Sequence, residues 1–220
     1  MRETQPHFLP DFIPAHLRHS PLMQKGGFDI FAGLLDDNLY AQMLMEAMSL
    51  ASTAQQHEVS IPDNEEVRGG IPPRRFLSAS GGTIQTAFYR AEWMFDFLQQ
   101  MAGVSVIPSG QSGTYTYYTR PGDYLALHRD IVTCDLAVIT CLHDNANPVG
   151  SSGLLCVYPE RISEPLSAIR ASLSQGAVGL RLMHRQTLVM FGGILPHALL
   201  PVAEGQMRII SVLCYRVYGA

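Results

Sequence analysis

The pattern of apolar and polar positions changes character near residue 110. Before it, two stretches carry apolar residues at helical spacing. Over 36–51, Leu39, Met43, Ala47 and Leu50 form one stripe, and the Asp and Asn residues at its start can cap free N–H groups. Over 80–101 a second helix is predicted, with Phe88, Met94, Phe95 and Leu98 on its buried face, Trp93 among them, and Ala102-Gly103 as its stop. The stretch between, 54–80, is polar and broken by Pro62, Gly69-Gly70 and Pro72-Pro73, which predicts a long loop of the kind used as a lid. Residues 1–30, rich in Pro, His and Phe, read as an irregular arm.

From 110 onward, short β-rich runs alternate with Gly, Pro and Asp turns. If 124–130 is a strand, period-2 alternation puts His128 and Asp130 on one face and Leu125, Leu127 and Arg129 on the other. The segment 163–174 interrupts the strands, and Glu164-Pro165 before it and Gly176 after it predict a short inserted helix. Helices followed by a run of strands give an α+β layout.

The 220 residues fit one domain, 1–220, in which 1–109 form the arm and helical support and 110–220 the β core. Apolar content of 47% suffices for a sizeable core. A net charge of −4 with no basic run argues against a nucleic-acid partner. The apolar runs are too short for a spanning helix, and no basic-then-apolar leader opens the chain, so no membrane partner is expected and a cytoplasmic location is. The four cysteines, at 134, 141, 156 and 214, lack Cys-x-x-Cys spacing and are expected as buried free thiols. His16-x-x-His19 has no acidic or cysteinyl companion and reads as surface.

Chemistry concentrates in two stretches. Tyr118-Thr-Arg-Pro-Gly-Asp-Tyr-Leu-Ala-Leu-His128-Arg-Asp130 offers an imidazole and a carboxylate side by side. Gly192-Gly-Ile-Leu-Pro-His197 offers a further His, and a hairpin over 203–205 would lay Arg208 near it on the neighbouring strand. Two His and one carboxylate bound facially leave three open positions on a metal, an arrangement suited to Fe(II) but also to Co, Ni or Mn. The flanks of Arg208, Met207 and Ile209-Ile210, argue for a partly buried cation.

Together these stretches resemble the Fe(II)- and 2-oxoglutarate-dependent dioxygenases, in their prolyl-hydroxylase-like branch. The resemblance runs over 112–218 and includes Leu136-Ala-Val-Ile-Thr140-Cys-Leu142, Gly150-Ser-Ser-Gly153-Leu154, Thr187-Leu-Val-Met-Phe191 and His197-x-x-x-Pro201-Val202. It implies a distorted double-stranded β-helix, related to the jelly roll, with helices buttressing one face. It implies Fe(II) on His128, Asp130 and His197, O₂ as co-substrate, and 2-oxoglutarate with its far carboxylate on Arg208. Tyr118 and Thr140 are the hydroxyls expected to support that carboxylate, whereas Ser211 should point away. The implied reaction converts 2-oxoglutarate to succinate and CO₂ and hydroxylates an unactivated C–H bond. Desaturation, cyclisation and epimerisation use the same ligands, and Asp130 fills the position that halogenases open for chloride. A small amino-acid-like molecule or secondary metabolite is the expected substrate, with a peptidyl residue as the alternative. Arg74 and Arg75 are candidates to clamp a substrate carboxylate, and Tyr115, Tyr117, His143 and Arg185 to line the pocket. The rival class is a non-catalytic cupin-like metal or 2-oxoglutarate sensor, but cupins carry His-x-His and a later Glu that this chain lacks.

Overall fold

The computed structural model describes residues 13–66, 68–147 and 149–218. The N-terminal part contributes helix α1 (Pro21–Gln24), strand β1 (Phe28–Ala32), helix α2 (Asp37–Leu50), strands β2 (Gln55–Val59) and β3 (Arg74–Ser80), and helices α3 (Thr83–Tyr89) and α4 (Glu92–Ala102). The remainder runs β4 (Ser105–Pro108), β5 (Thr114–Tyr118), β6 (Tyr124–His128), β7 (Leu136–Asp144), β8 (Leu155–Val157), α5 (Leu166–Arg170), β9 (Val178–Leu180), β10 (Gln186–Met190), β11 (His197–Leu199) and β12 (Arg208–Tyr218). Among these residues no helix is long and apolar enough to cross a membrane.

All the strand pairings between these elements are antiparallel, in the order β1-β10-β7-β12-β5-β3-β6-β11-β8-β9, with β2 on β3 and β4 on β12. The sheet curls on itself into a distorted double-stranded β-helix, so β1 to β3 form a major wall and β6, β11, β8 and β9 a minor one. Strand alternation gives each wall two faces. On the major wall, Thr116, Tyr118, Arg208, Ile210, Val212 and Ile139 face an internal cavity. Their neighbours face the helices. The Tyr115 hydroxyl donates to Glu46 (2.7 Å) and the Tyr117 hydroxyl to the Ala47 carbonyl (2.7 Å), while Ser211 accepts from Gln85 (2.7 Å).

Helix α2 forms as the sequence pattern indicates: Asp36 caps it by accepting from the Leu39 N–H, and Met43 and Ala47 are fully buried. The expected 80–101 helix is instead two, broken at Arg90-Ala91, where Ala91 is extended. Gln85, Phe88 and Tyr89 are buried on the first, and Met94, Leu98 and Ala102 on the second. On a continuous helix Phe88 and Met94 would lie roughly 120° apart, and the two buried sets together would spread over more than half the circumference, too wide for one buried face. Trp93, expected inside, is 45% exposed against Phe88.

The expected loop over 54–80 holds β2 and β3. Strand β2 is an edge whose Gln and Glu side chains meet water, and the cavity face of β3 carries Arg74 and Ser78. Neither strand shows the apolar alternation of a half-buried one. Because β3 lies between β5 and β6, the β core does not begin at 110. Within the expected arm, Phe28–Ala32 is a strand on β10, and 1–12 lie outside the described residues. Helix α5 covers the outer face of the minor wall: Leu166 and Ile169 pack with Leu127, Cys156, Tyr158 and Ala198. The four thiols are also corrected. Cys134 and Cys214 form a disulfide across 80 residues, and only Cys141 and Cys156 are free. The pairing joins a turn to a strand distant in sequence, which Cys spacing does not reveal.

Glu46 joins the helical layer to the sheet. Its carboxylate accepts from the Ile84 and Gln85 N–H groups at the start of α3 and from Tyr115, whose phenol is pushed up chiefly by burial and then by this bond. Glu46→Ala leaves these donors without an acceptor. It should lower unfolding free energy by about 1–3 kcal/mol. A urea titration reads this as a lower midpoint at unchanged slope, and an unchanged midpoint would show the contact to be dispensable.

Candidate metal centre

The site is built on the antiparallel pair β6 and β11, in which His197 lies directly opposite His128. The imidazole centroids are 4.2 Å apart. Each Nδ1 is 2.9 Å from a carbonyl two residues back, Ala126 for His128 and Leu195 for His197. A carbonyl only accepts, so each Nδ1 carries the proton and each Nε2 of a neutral ring is left with its lone pair. Both Nε2 atoms point to Asp130 Oδ1, at 3.4 Å from His128 and 3.6 Å from His197. One ligating atom from each of His128, Asp130 and His197 lies within 4.8 Å of the others, and this is the one such cluster among the described residues.

The register carries a bulge. His197 opposes His128, but Leu199 opposes Leu125, so three residues on β6 span what two span on β11. Leu125 therefore lines the cavity together with His128, and only Leu127 turns to the outer cluster, where simple alternation places both leucines outside. Asp130 lies beyond the end of β6. Its N–H donates to the Gly192 carbonyl (2.8 Å). Arg68 donates to the Asp130 and Ile131 carbonyls (3.2 and 3.0 Å) and pairs with Asp135 (2.7 Å). A Cβ on Gly192 would overlap the Asp130 carboxylate, and one on Gly193 would overlap the Arg68 guanidinium. The Gly-Gly pair thus makes room for the acid and for the cation that holds its loop.

Burial, and then the charge of His197, push the His128 imidazole below its usual range, opposed by Asp130. Burial alone would raise Asp130, but the two imidazoles together hold it well below the usual carboxylate range. Both directions favour a neutral His128 and an ionised Asp130, the forms in which they ligate a metal.

The cavity between the walls has a volume of about 440 Å³. Arg208 reaches it from β12, is 1% exposed and keeps Nε without a hydrogen-bond partner. It is not on a hairpin with His197. The strand β11 pairs with β6 and β8, and β12 with β4, β5 and β7, so the two residues face the cavity from different walls. The intervening loop crosses between the walls and is pinned by the Gly122 N–H on the Val202 carbonyl (2.8 Å).

Asp144, at the end of β7, orients Arg208, accepting from Nη1 at 2.5 Å. Its carboxyl is held below the usual range: burial raises it, but the Ala146 N–H, the Arg208 charge and Gln206 outweigh that. Asp144, Gln206 and Arg68 had no role in the sequence reading, and Gly192 appeared there only as the start of the His197 stretch. Each acts through a contact distant in the chain. The Gly192-Gly193 pair was the one available signal, since two adjacent glycines before an apolar run suggest close approach.

The remaining expected residues divide. Tyr118 lines the cavity opposite Arg208 in register, its phenol pushed up by burial and drawn down by Arg208. Thr140 faces away, hydrogen-bonded to Thr187 (2.9 Å), because the cavity face of β7 belongs to Ala137 and Ile139. Arg74 lines the cavity. Arg75 does not: it pairs with Asp123, which also accepts from the Thr119 and Arg120 N–H groups to close the Pro121-Gly122 turn. Tyr117 and Tyr115 point to the helices. Arg185 pairs with Asp37, and His143 stacks on His184, away from the cavity.

No protein-family model matches the sequence, and no curated protein matches it. Solved structures share its fold. A prolyl-4-hydroxylase from Pseudomonas putida aligns at 15% identity and a TM-score of 0.59, over 90% of this chain and 96% of that one. The epimerase SnoN, in complex with Fe3+, alpha ketoglutarate and nogalamycin RO, aligns at 14% and 0.65, over 93% and 85%. HygX from Streptomyces hygroscopicus, with nickel and 2-oxoglutarate bound, aligns at 10% and 0.62, over 92% and 87%. The fold is that of the Fe(II)/2-oxoglutarate oxygenases, in the form seen in prolyl hydroxylases.

Two variants test the cluster. His128→Ala removes a ligand and should abolish Co(II) binding in a calorimetric titration. Gly192→Ala should leave the fold intact but displace the Asp130 carboxylate, weakening Co(II) by roughly 10–100-fold, the range for losing a supporting contact. Retention of wild-type affinity in both variants would place the metal elsewhere.

Proposed function

We propose that this chain is an Fe(II)/2-oxoglutarate-dependent dioxygenase that hydroxylates an unactivated C–H bond of a small molecule, amino-acid-like or a secondary metabolite. One observation carries the reading: three convergent ligand atoms share a cavity with a buried arginine whose Nε has no partner. His128, Asp130 and His197 would hold iron, with three coordination positions left for other groups. Arg208 would receive the far carboxylate of 2-oxoglutarate. Its planar fork suits a carboxylate, and a buried cation with an unused donor calls for an anion. Tyr118, beside it, would be a second donor to the same group. When bound, iron and 2-oxoglutarate supply the oxidising power, with succinate and CO₂ as co-products of the hydroxylation.

The chain's own residues do the positioning. The Nδ1 bonds to Ala126 and Leu195 hold both rings to one tautomer, and Asp144 holds Arg208 toward the cavity. The apolar lining, including Leu125, Ile139 and Ile210, excludes water from the reacting centre.

Anaerobic titration of the metal-free protein with Fe(II) and then 2-oxoglutarate should develop the visible charge-transfer band of iron chelated by a 2-oxo acid. Arg208→Ala should weaken 2-oxoglutarate by about 10-fold or more, the worth of a charge-assisted pair. Iron binding with no band would remove the co-substrate from the reading and favour a metal-binding module.

A further inference from the structure

The cavity holds more positive charge than the proposed cofactors use. Arg74, Arg129 and Arg208 all line it, and among the described lining residues Asp130 is the one acid. Arg129 donates to the Ile194, Ile162 and Glu164 carbonyls, and Arg208 is held by Asp144. Arg74 has, like Arg208, a buried Nε with no hydrogen-bond partner, but among the described residues its guanidinium has no ion pair. His57, on the paired strand β2, is pushed down by burial and then by the Arg74 charge.

The place of Arg74 in the fold separates it from the proposed 2-oxoglutarate anchor. It lies on β3 opposite Leu125 of β6, the strand that ends in His128. Arg208 lies two strands away on β12, and the rings of Phe76 and Tyr118, 5.6 Å apart, stand between. Arg74 is half-buried, and its buried Nε has no partner to replace the water it gives up. Iron, Asp130, a 2-oxoglutarate dianion and Arg208, with Asp144 and its second partner Arg181, balance one another without Arg74.

Resting on the oxygenase reading, we propose that Arg74 is the anchor for the substrate's own anionic group. The substrate is then a small carboxylic acid with an apolar body and no free ammonium, which narrows the class proposed above and sets free amino acids aside. The lining around Arg74 supplies the apolar contact through Pro72, Phe76, Leu125 and Leu155, and exposed Ile131 and Val132 continue that surface outward. An ammonium finds no carboxylate there, because Asp130 is committed to the metal. A carboxylate held by Arg74 fixes one end of the molecule, so that the C–H bond presented to the metal is set by the length of the apolar body.

The test uses matched probes on the full chain: 3-phenylpropanoate, its amide and phenylalanine, with octanoate and octanamide as a second pair. Binding is measured by saturation-transfer NMR and calorimetry, with and without Co(II) and 2-oxoglutarate. Each acid should bind roughly 10-fold or more tightly than its amide, and 3-phenylpropanoate more tightly than phenylalanine, the worth of one charge-assisted contact. Arg74→Met should erase the preference for acids, Arg74→Lys should keep part of it, and Arg208→Met should keep it whole. Arg74→Gln carries the same comparison if Arg74→Met does not fold. The Fe(II)/2-oxoglutarate absorbance is read in parallel and should persist in the Arg74 variants, which separates failure here from failure of the oxygenase reading. The proposal is overturned if no acid binds, if acids and amides bind alike, or if the preference survives Arg74→Met. It is also overturned if Arg74→Met abolishes 2-oxoglutarate binding, which would make Arg74 the co-substrate's anchor instead.

Discussion

The antiparallel pairing of β6 with β11 is the constraint on which the site depends. It sets His128 opposite His197 through backbone hydrogen bonds, so the separation of the two imidazoles is fixed by strand geometry rather than by side-chain freedom. The bulge on β6 decides which way they face. Without the extra residue, Leu125 and His128, three positions apart, would lie on opposite faces. With it, one supplies apolar lining and the other a ligand on the same wall. The third ligand needs a separate device, because Asp130 is past the end of the strand. Its backbone is tied to Gly192 and its loop to Arg68, so a carboxylate on irregular chain is held nearly as firmly as the imidazoles on strands.

The major wall separates two kinds of polar contact. Toward the helices, Tyr115, Tyr117 and Ser211 are each matched to a partner within the protein, which makes that layer a closed support. Toward the cavity, Arg74 and Arg208 keep buried donors unmatched. Burying a guanidinium is tolerable for Arg208 because Asp144 offsets its charge, and Asp144 is in turn satisfied by Gln206, Arg181 and the Ala146 N–H. One lattice of strands therefore provides both a face whose hydroxyls are partnered and a face whose arginines keep unmatched donors. That asymmetry is the physical content of a binding cavity.

What could be read from the sequence follows the range of the interaction involved. Helix α2, with its Asp36 cap and apolar stripe, was legible because both signals are local. The His128, Asp130 and His197 set was legible as an ordered pattern, and the structure brings the three together. The phase of Leu125 was not legible, because a bulge is a property of two paired strands. Arg208 was read onto a hairpin beside His197, whereas the loop after Pro201 crosses to the other wall. Strands β2 and β3 were missed because their polar residues face water or the cavity, so neither carries the expected alternation. Thr140 was misassigned through the parity of β7, and Asp144, Arg68 and the Cys134–Cys214 pairing depend on contacts between residues far apart in the chain.

The disulfide links the two ends of the proposed chemistry. Cys134 closes the turn that follows Asp130, and Cys214 is on the strand that begins with Arg208. The bond therefore joins the turn after Asp130 to the strand that carries Arg208. Closing a span of 80 residues restricts the unfolded chain by on the order of 4 kcal/mol in the chain-entropy account. Cys141, by contrast, keeps its thiol near Arg208, where burial, despite the arginine charge, pushes it up to about 11. A thiol so raised is not a nucleophile at neutral pH and acts as apolar packing. The cysteines thus serve two ends, one pair cross-linking the turn after Asp130 to β12, the others filling space. The convergence of His128, Asp130 and His197 is set by rigid elements, strand pairing with its bulge and the backbone ties of the Asp130 loop, and the covalent bond holds that loop to the wall that carries Arg208.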